Sequence, residues 1–289
     1  MKKSRKLTAL GICSALFLGL AACQQHATSE GTNQRQTSSA KVPWKASYTN
    51  LNNQVSTEEV KSLLSAHLDP NSVDAFFNLV NDYNTIVGST GLSGDFTSFT
   101  HTEYDVEKIS HLWNQKKGDF VGTNCRINSY CLLKNTVTIP KLEKNDQLLF
   151  LDNDAIDKGK VFDSQDKEEF DILFSRVPTE TTTDVKVHTE KMEKFFSQFQ
   201  FNDKARMLSV VLHDNLDGEY LFVGHVGVLV PADDGFLFVE KLTFEEPYQA
   251  IKFASKEDCY KYLGTKYADY TGDGLAKPFI MDNDKWVNL

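Results

Sequence analysis

The chain reads as an α+β fold. Three observations predict it. Apolar residues recur at helical spacing through residues 56–134, the last of these helices begins at Cys125, and strands alternate with Gly- and Asp-rich turns over 206–244. A Cys-bearing helix laid on an antiparallel meander is the arrangement that follows.

The first six residues, Met1-Lys2-Lys3-Ser4-Arg5-Lys6, are cationic. The apolar run Leu7–Leu20 is too short for an ordinary spanning helix. It ends at Leu20-Ala21-Ala22-Cys23, which is similar to the lipobox of bacterial lipoproteins. That resemblance implies a signal peptide over 1–22, cleavage before Cys23, and a diacylglyceryl group on its thiol. Two acyl chains suffice for stable anchoring, so the expected partner is the membrane, and the expected location its extracellular face. Secretion by cleavage at a small-residue site is the alternative. Gln, Ser and Thr dominate from Gln24 to Lys45 without apolar periodicity, so residues 23–45 read as the lipidated Cys and a tether. Residues 46–289 are then long enough for a single domain with its own core.

Within that domain, Ser56 and Glu59 form the pattern of a capping box before a helix from Thr57. Asp69-Pro70-Asn71-Ser72 opens a second helix, about Val73–Thr85, with Phe76, Phe77, Leu79, Val80 and Tyr83 inward, and Gly88, Gly91 and Gly94 break it. Val106–Gln115 is a third, stopped by Lys116-Lys117-Gly118. The Cys125 helix runs to about Lys134 with Thr123 as expected N-cap, which puts Cys125 at the second helical position. Ile127, Tyr130 and Cys131 share one side and read as core, so Cys131 is expected to be a buried apolar residue.

From Lys141 to Thr183 the pattern is mixed. Gln147–Leu151 resembles a short strand among acidic loops, and Asp152, Asp154 and Asp163 do not match a calcium loop. Glu190–Gln200 is amphipathic through Met192, Phe195, Phe196 and Phe199. Strands follow over Arg206–Leu212, Tyr220–Val230 and Phe236–Phe244, joined by turns at Asn215–Gly218 and Pro231–Gly235.

Loss of Lys2, Lys3, Arg5 and Lys6 with the leader deepens the formal charge from −9 to −13. An acidic surface disfavours nucleic acid. Cys13 leaves with the leader and Cys23 is expected to be acylated, so Cys125, Cys131 and Cys259 remain, an odd number. On one helix, six residues separate the Cα atoms of Cys125 and Cys131 by about 9 Å, beyond the ~7 Å a disulfide spans. Cys125 is then free unless Cys259 reaches it.

A thiol nucleophile needs a helix N-terminus or a cation to lower its pKa, a base in hydrogen-bond reach, and a group that fixes the imidazole. His225 sits in Val223-Gly224-His225-Val226-Gly227, and glycines inside a strand signal close approach of other groups. Counting back from the Asp233 turn puts residues 240–242 opposite His225, and Glu240 is the acid there. The competing readings are a packed or surface histidine and an ordinary exposed glutamate. Tyr83 and Tyr104 are candidates for a further oxyanion donor. Of the other histidines, His213 is expected to be solvent-exposed beside Asp214, His188 competes as a base, and His101 and His111 precede the Cys without strand context. No HExxH, CxxC or GxSxG occurs, so no metal or cofactor is expected.

The lipobox, Gly122-Thr123-Asn124-Cys125-Arg126, Gly224-His225-Val226-Gly227, and Val239-Glu240-Lys241 followed by Pro247-Tyr248-Gln249 resemble a family of lipoproteins from low-GC Gram-positive bacteria, domain-of-unknown-function family 4300. The Cys and His segments are also similar to papain-like NlpC-type cell-wall hydrolases. That second resemblance implies a papain-like fold, with Cys125 as nucleophile, His225 as base and Glu240 as the orienting group. The expected activity is an amidase or peptidase acting on cell-wall peptides or on protein. The chain departs from the NlpC-type pattern, carrying Asn124-Cys125-Arg126 where Asp-Cys-Ser is expected. The alternative is a binding or scaffold lipoprotein without catalysis.

Overall fold

Residues 44–100 and 102–289 are described in a computed structural model. The leader, Cys23, the tether up to Pro43, and His101 lie outside them. The helices are α1 (Gln54–Ser65), α2 (Pro70–Val87), α3 (Val106–Lys117), α4 (Cys125–Leu133), α5 (Phe150–Gly159), α6 (Ser164–Leu173), α7 (Val185–Phe196) and α8 (Lys256–Lys266). The strands are β1 (Ala46–Thr49), β2 (Thr97–Ser98), β3 (Val137–Thr138), β4 (Val177–Pro178), β5 (Gln200–Phe201), β6 (Arg206–Asp214), β7 (Tyr220–Ala232), β8 (Gly235–Lys241), β9 (Tyr248–Phe253), β10 (Phe279–Asp282) and β11 (Lys285–Val287).

The meander predicted for the C-terminal half is the centre of the molecule. Strands run in the order β11-β10-β6-β7-β8-β9-β1-β2, with β4 added at the start of β7, and all pairings are antiparallel. β3 and β5 form a separate pair. The two-residue side-chain alternation of a strand gives the sheet two apolar faces. Val211, Val223, Val226, Val228 and Val239 face the cluster that contains α2 and α4 residues such as Phe76, Val80, Ile127 and Tyr130. Leu208, Val210, Leu212, Leu229, Phe238 and Ile251 face Cys259, Tyr262 and Leu263 of α8. The result is an α+β fold whose sheet is covered on both sides.

One irregularity in the sheet bears on the site. The β6–β7 ladder pairs Val210 with His225 and then Val211 with Val223, so Gly224 is an inserted bulge residue. The β7–β8 ladder ends at Val228↔Val239, while Glu240 and Lys241 continue to pair with Gln249 and Tyr248 of β9. His225 and Glu240 therefore lie just beyond the end of the β7–β8 ladder.

Several local expectations are corrected. Asn53, not Ser56, caps α1, its side chain accepting from Ser56 N–H; Ser56 lies inside the first turn. Residues 147–151 form no strand: a 3₁₀ turn leads into α5, and α6 follows, capped by Asp163. α7 starts at Val185, capped by Asp184, five residues before the expected start, and ends at Phe196. β8 stops at Lys241 rather than Phe244, and β9, α8 and β10 follow, all unforeseen.

Candidate active site

Cys125 is the first residue of α4. The cap is Asn124, one residue later than expected: its backbone is extended and its Oδ1 accepts from Ile127 N–H at 3.1 Å. Thr123 serves elsewhere, its Oγ1 meeting Asn128 Nδ2 at 2.9 Å and Tyr248 OH at 3.3 Å. Asn124 is itself aimed by Asp152, whose Oδ1 accepts from Asn124 Nδ2 at 2.8 Å. Among the described residues the N–H groups of Cys125 and Arg126 have no acceptor, as the first turn of a helix leaves them. Both N–H dipoles and the positive end of α4 thus lie beside the thiol.

His225 Nε2 contacts Glu240 Oε2 at 2.5 Å, which leaves Nδ1 as the ring nitrogen that can serve the Cys125 thiol. Glu240 also accepts from Tyr262 OH, and Lys266 Nζ lies 3.5 Å from its Oε1. Tyr267, at the end of α8, stacks on the imidazole with ring centroids 5.0 Å apart. The flanking glycines admit neighbours. A Cβ at Gly224 would lie 2.2 Å from Leu212 Cδ1, and one at Gly227 would lie 2.3 Å from Phe238 Cζ. Cys125 is 5% exposed and His225 and Glu240 are 1% each, so the three groups interact with little water between them.

Burial alone would push the Cys125 thiol up. The charge and hydrogen bond of His225 and the Arg126 guanidinium outweigh it against the opposition of Asp152, and the thiol lies below its ordinary value. Burial would likewise depress His225, but Cys125 and then Glu240 raise it. For Glu240, burial is overcome by Lys266, His225 and Tyr262, and its pKa falls to about 2. These directions favour a thiolate facing an imidazolium that is held by a carboxylate. Such a thiolate can add to an electrophilic carbonyl, and the imidazolium can hand its proton to the departing atom.

Arg126, the residue that breaks the NlpC-type pattern, has a defined place. Its Nε and Nη2 meet Asp152 Oδ1 and Oδ2 at 2.9 and 2.7 Å, and its Nη1 donates to Val223 O at 3.0 Å. It ties the start of α4 both to α5 and to the strand that bears His225. Asp152, expected in a solvated loop, is fully buried. His213 is also buried, its Nε2 2.6 Å from Glu219 and its Nδ1 accepting from Ala276 N–H, because the β6 end is covered by the 272–279 segment rather than open. His188 is engaged by Thr179 and Thr182, and His111 is exposed on α3. Tyr83 OH donates to Glu245 O in the β8–β9 connection, and Tyr104 OH accepts from Asn50 after β1 and from Gln249 in β9, so each hydroxyl is already engaged. Cys131 and Cys259 are free and buried, and burial pushes Cys131 up to about 12.

Sequence reasoning did not find Asp152, Tyr262, Lys266 or Tyr267. An Arg next to a helix-start Cys was a usable signal, since a guanidinium packed into a helix layer needs an acid. So was Tyr262 with Lys266, one turn apart on α8. Among the described residues no group of three or more His, Cys, Asp or Glu side chains gathers as a metal ion requires, and no helix is long and apolar enough to cross a membrane.

No curated protein and no solved structure matches the chain. The family described as Domain of unknown function (DUF4300) matches over residues 47–287, nearly the whole described region. The protein is a member of that family.

Proposed function

We propose that this protein is a lipid-anchored thiol hydrolase of the extracellular membrane face, with a papain-like order of a Cys helix followed by a His strand. One observation carries the reading: the buried His225 imidazole, held by Glu240 at 2.5 Å, and the buried Cys125 thiol favour each other's charged forms at a helix start whose first two N–H groups have no acceptor among the described residues. The Cys125 thiolate attacks a carbonyl carbon, and the two N–H groups receive the oxyanion. The His225 imidazolium protonates the departing amine, then takes a proton from water as the thioester is hydrolysed. Glu240 holds the ring in place. Anchoring through Cys23 brings the site to the wall, so an amide of wall peptides is the nearest substrate.

The test is incubation of the protein with purified wall peptides, with mass spectrometry of both partners. An acyl adduct on Cys125 and released amine, both lost in Cys125→Ala, is the expected result. Release that persists in Cys125→Ala would end the hydrolase reading. A non-catalytic binding lipoprotein is the second reading, and the small exposure of Cys125 favours it.

A further inference from the structure

Lys241 is a buried cation that thiol chemistry leaves unused. It follows Glu240 in β8 and so projects from the opposite face of the sheet. It is 1% exposed, and its Nζ donates to the carbonyl oxygens of Thr243 at 2.9 Å, Phe244 at 3.2 Å and Glu246, using all three N–H groups. It lies 4.1 Å from the Tyr83 ring centroid and 5.2 Å from that of Tyr248. Carbonyl dipoles and ring faces, rather than a paired carboxylate, receive its charge.

The carbonyls it gathers belong to the β8–β9 connection. Tyr83 OH takes the carbonyl in between, that of Glu245. Leu242 N–H donates to Pro247 O at 3.1 Å, closing the neck, and Glu246 N–H donates to Thr243 Oγ1 at 2.9 Å. Four successive carbonyls are thus turned inward onto two side chains. This loop runs beside the start of α4: a Cβ on Gly122 would lie 3.5 Å from Phe244 O, three residues before the thiol. The charged and titratable groups around the ammonium are Glu245 and Glu246 on the loop, Cys125 on α4, Tyr83 on α2 and Tyr248 on β9.

We propose that Leu242–Pro247 is a strap over the Cys125 thiol and that Lys241 is its catch, a positioning residue that acts through the strap carbonyls. The proposal rests on the thiol-hydrolase reading only in taking Cys125 as the group controlled. Releasing the ammonium frees three carbonyls to water and opens the approach to the thiol without disturbing His225 or Glu240 on the other face. A bulky substrate then reaches Cys125 only after the strap lifts.

The test labels the protein with iodoacetamide and, separately, with a polyethylene-glycol maleimide, and locates each label at Cys125, Cys131 and Cys259 by mass spectrometry. Both labels are applied at pH about 6, where Lys241 is charged because burial lowers its pKa only to about 7, and the ratio of bulky to small labelling at that one pH reports access rather than thiolate fraction. Lys241→Met keeps the length of the stem and removes the donors. Bulky labelling of Cys125 is expected to rise by about tenfold or more, the change that losing a single charge-assisted hydrogen bond gives. Cys131 and Cys259 should stay unlabelled. Tyr83→Phe, which removes one strap bond, should give a smaller rise of the same sign, and keeps the test available if Lys241→Met does not fold. Lys241→Arg, which retains a cation with donors, should restore most of the wild-type protection.

Unchanged Cys125 labelling in folded Lys241→Met, or equal gains at all three thiols, would overturn the strap. If labelling ignores Lys241 but still slows in His225→Ala at pH about 6, well under the ~8.5 of a free thiol, the strap fails and the hydrolase reading stands.

Discussion

Replacing Glu240 by Gln keeps the shape of the side chain and removes its charge. The carboxylate now accepts from His225 Nε2 at 2.5 Å and from Tyr262 OH, with Lys266 Nζ at 3.5 Å. A carboxamide has one acceptor oxygen, so its NH₂ must face one of those donors. The pKa of Glu240 lies at about 2, below the ordinary carboxylate value of 4.5. At 1.36 kcal/mol per unit this corresponds to about 3 kcal/mol of stability. The sign follows from the lowered value. The contribution is complete above the unfolded pKa, near pH 4.5, and is lost as pH falls towards 2. Urea denaturation should therefore show wild type more stable than Glu240→Gln by about 3 kcal/mol at pH 7, with the difference shrinking below pH about 4. His225 loses the carboxylate that helps raise it, so the onset of Cys125 alkylation should move to higher pH. A stability difference that does not change between pH 7 and pH 3, or an unmoved alkylation onset, would refute the reasoning.

Asp152→Asn should cost about 3 kcal/mol in urea denaturation, since it leaves Arg126 without its buried counter-charge. It should also move the onset of Cys125 alkylation to lower pH, because the carboxylate that opposes the thiolate is gone; unchanged stability or an onset moved to higher pH would contradict the role given to Asp152. Gly227→Ala places a Cβ 2.8 Å from Val239 O as well as against Phe238, and should lower stability by about 1–3 kcal/mol in thermal unfolding. An unchanged Tm would show that the strands yield there. Cys131→Ala should leave Cys125 labelling intact at all pH values, with Cys131 itself unlabelled in the folded wild type.

The parts of the site that were legible in sequence have local signals. Gly122-Thr123-Asn124 before an apolar helical pattern marks a helix start, and the strand position of His225 is marked by its two glycines. Glu240 follows from counting along a hairpin whose turn is visible at Asp233-Asp234. The bulge at Gly224 and the early end of the β7–β8 ladder could not be counted from sequence, yet they decide how the two side chains meet.

What stayed hidden depends on distant partners. α5 and α6 are rich in Asp, Glu and Lys, and each buries a narrow stripe, Ala155 and Ile156 in one and Phe170, Ile172 and Leu173 in the other. Their charge masks the helical period. Asp152 is buried because Arg126 waits for it from another helix, which no window around Asp152 reveals. β9 is buried on both faces and lacks a clean polar alternation. The overlong reading of β8 has a specific cause: Thr243 and Phe244 suit a strand, but the Lys241 ammonium turns their carbonyls inward and ends the ladder.

The pairing of Cys125 with His225 is the claim on which the rest depends. The most direct measurement is the pH dependence of iodoacetamide labelling at Cys125, located by mass spectrometry, in wild type and His225→Ala. The account predicts selective labelling of Cys125 at pH about 6, well below the ~8.5 of a free thiol, and a marked slowing in the variant. Labelling at Cys125 that begins only near pH 8.5, or that is indifferent to His225, would contradict it and favour the proposal of a non-catalytic binding protein.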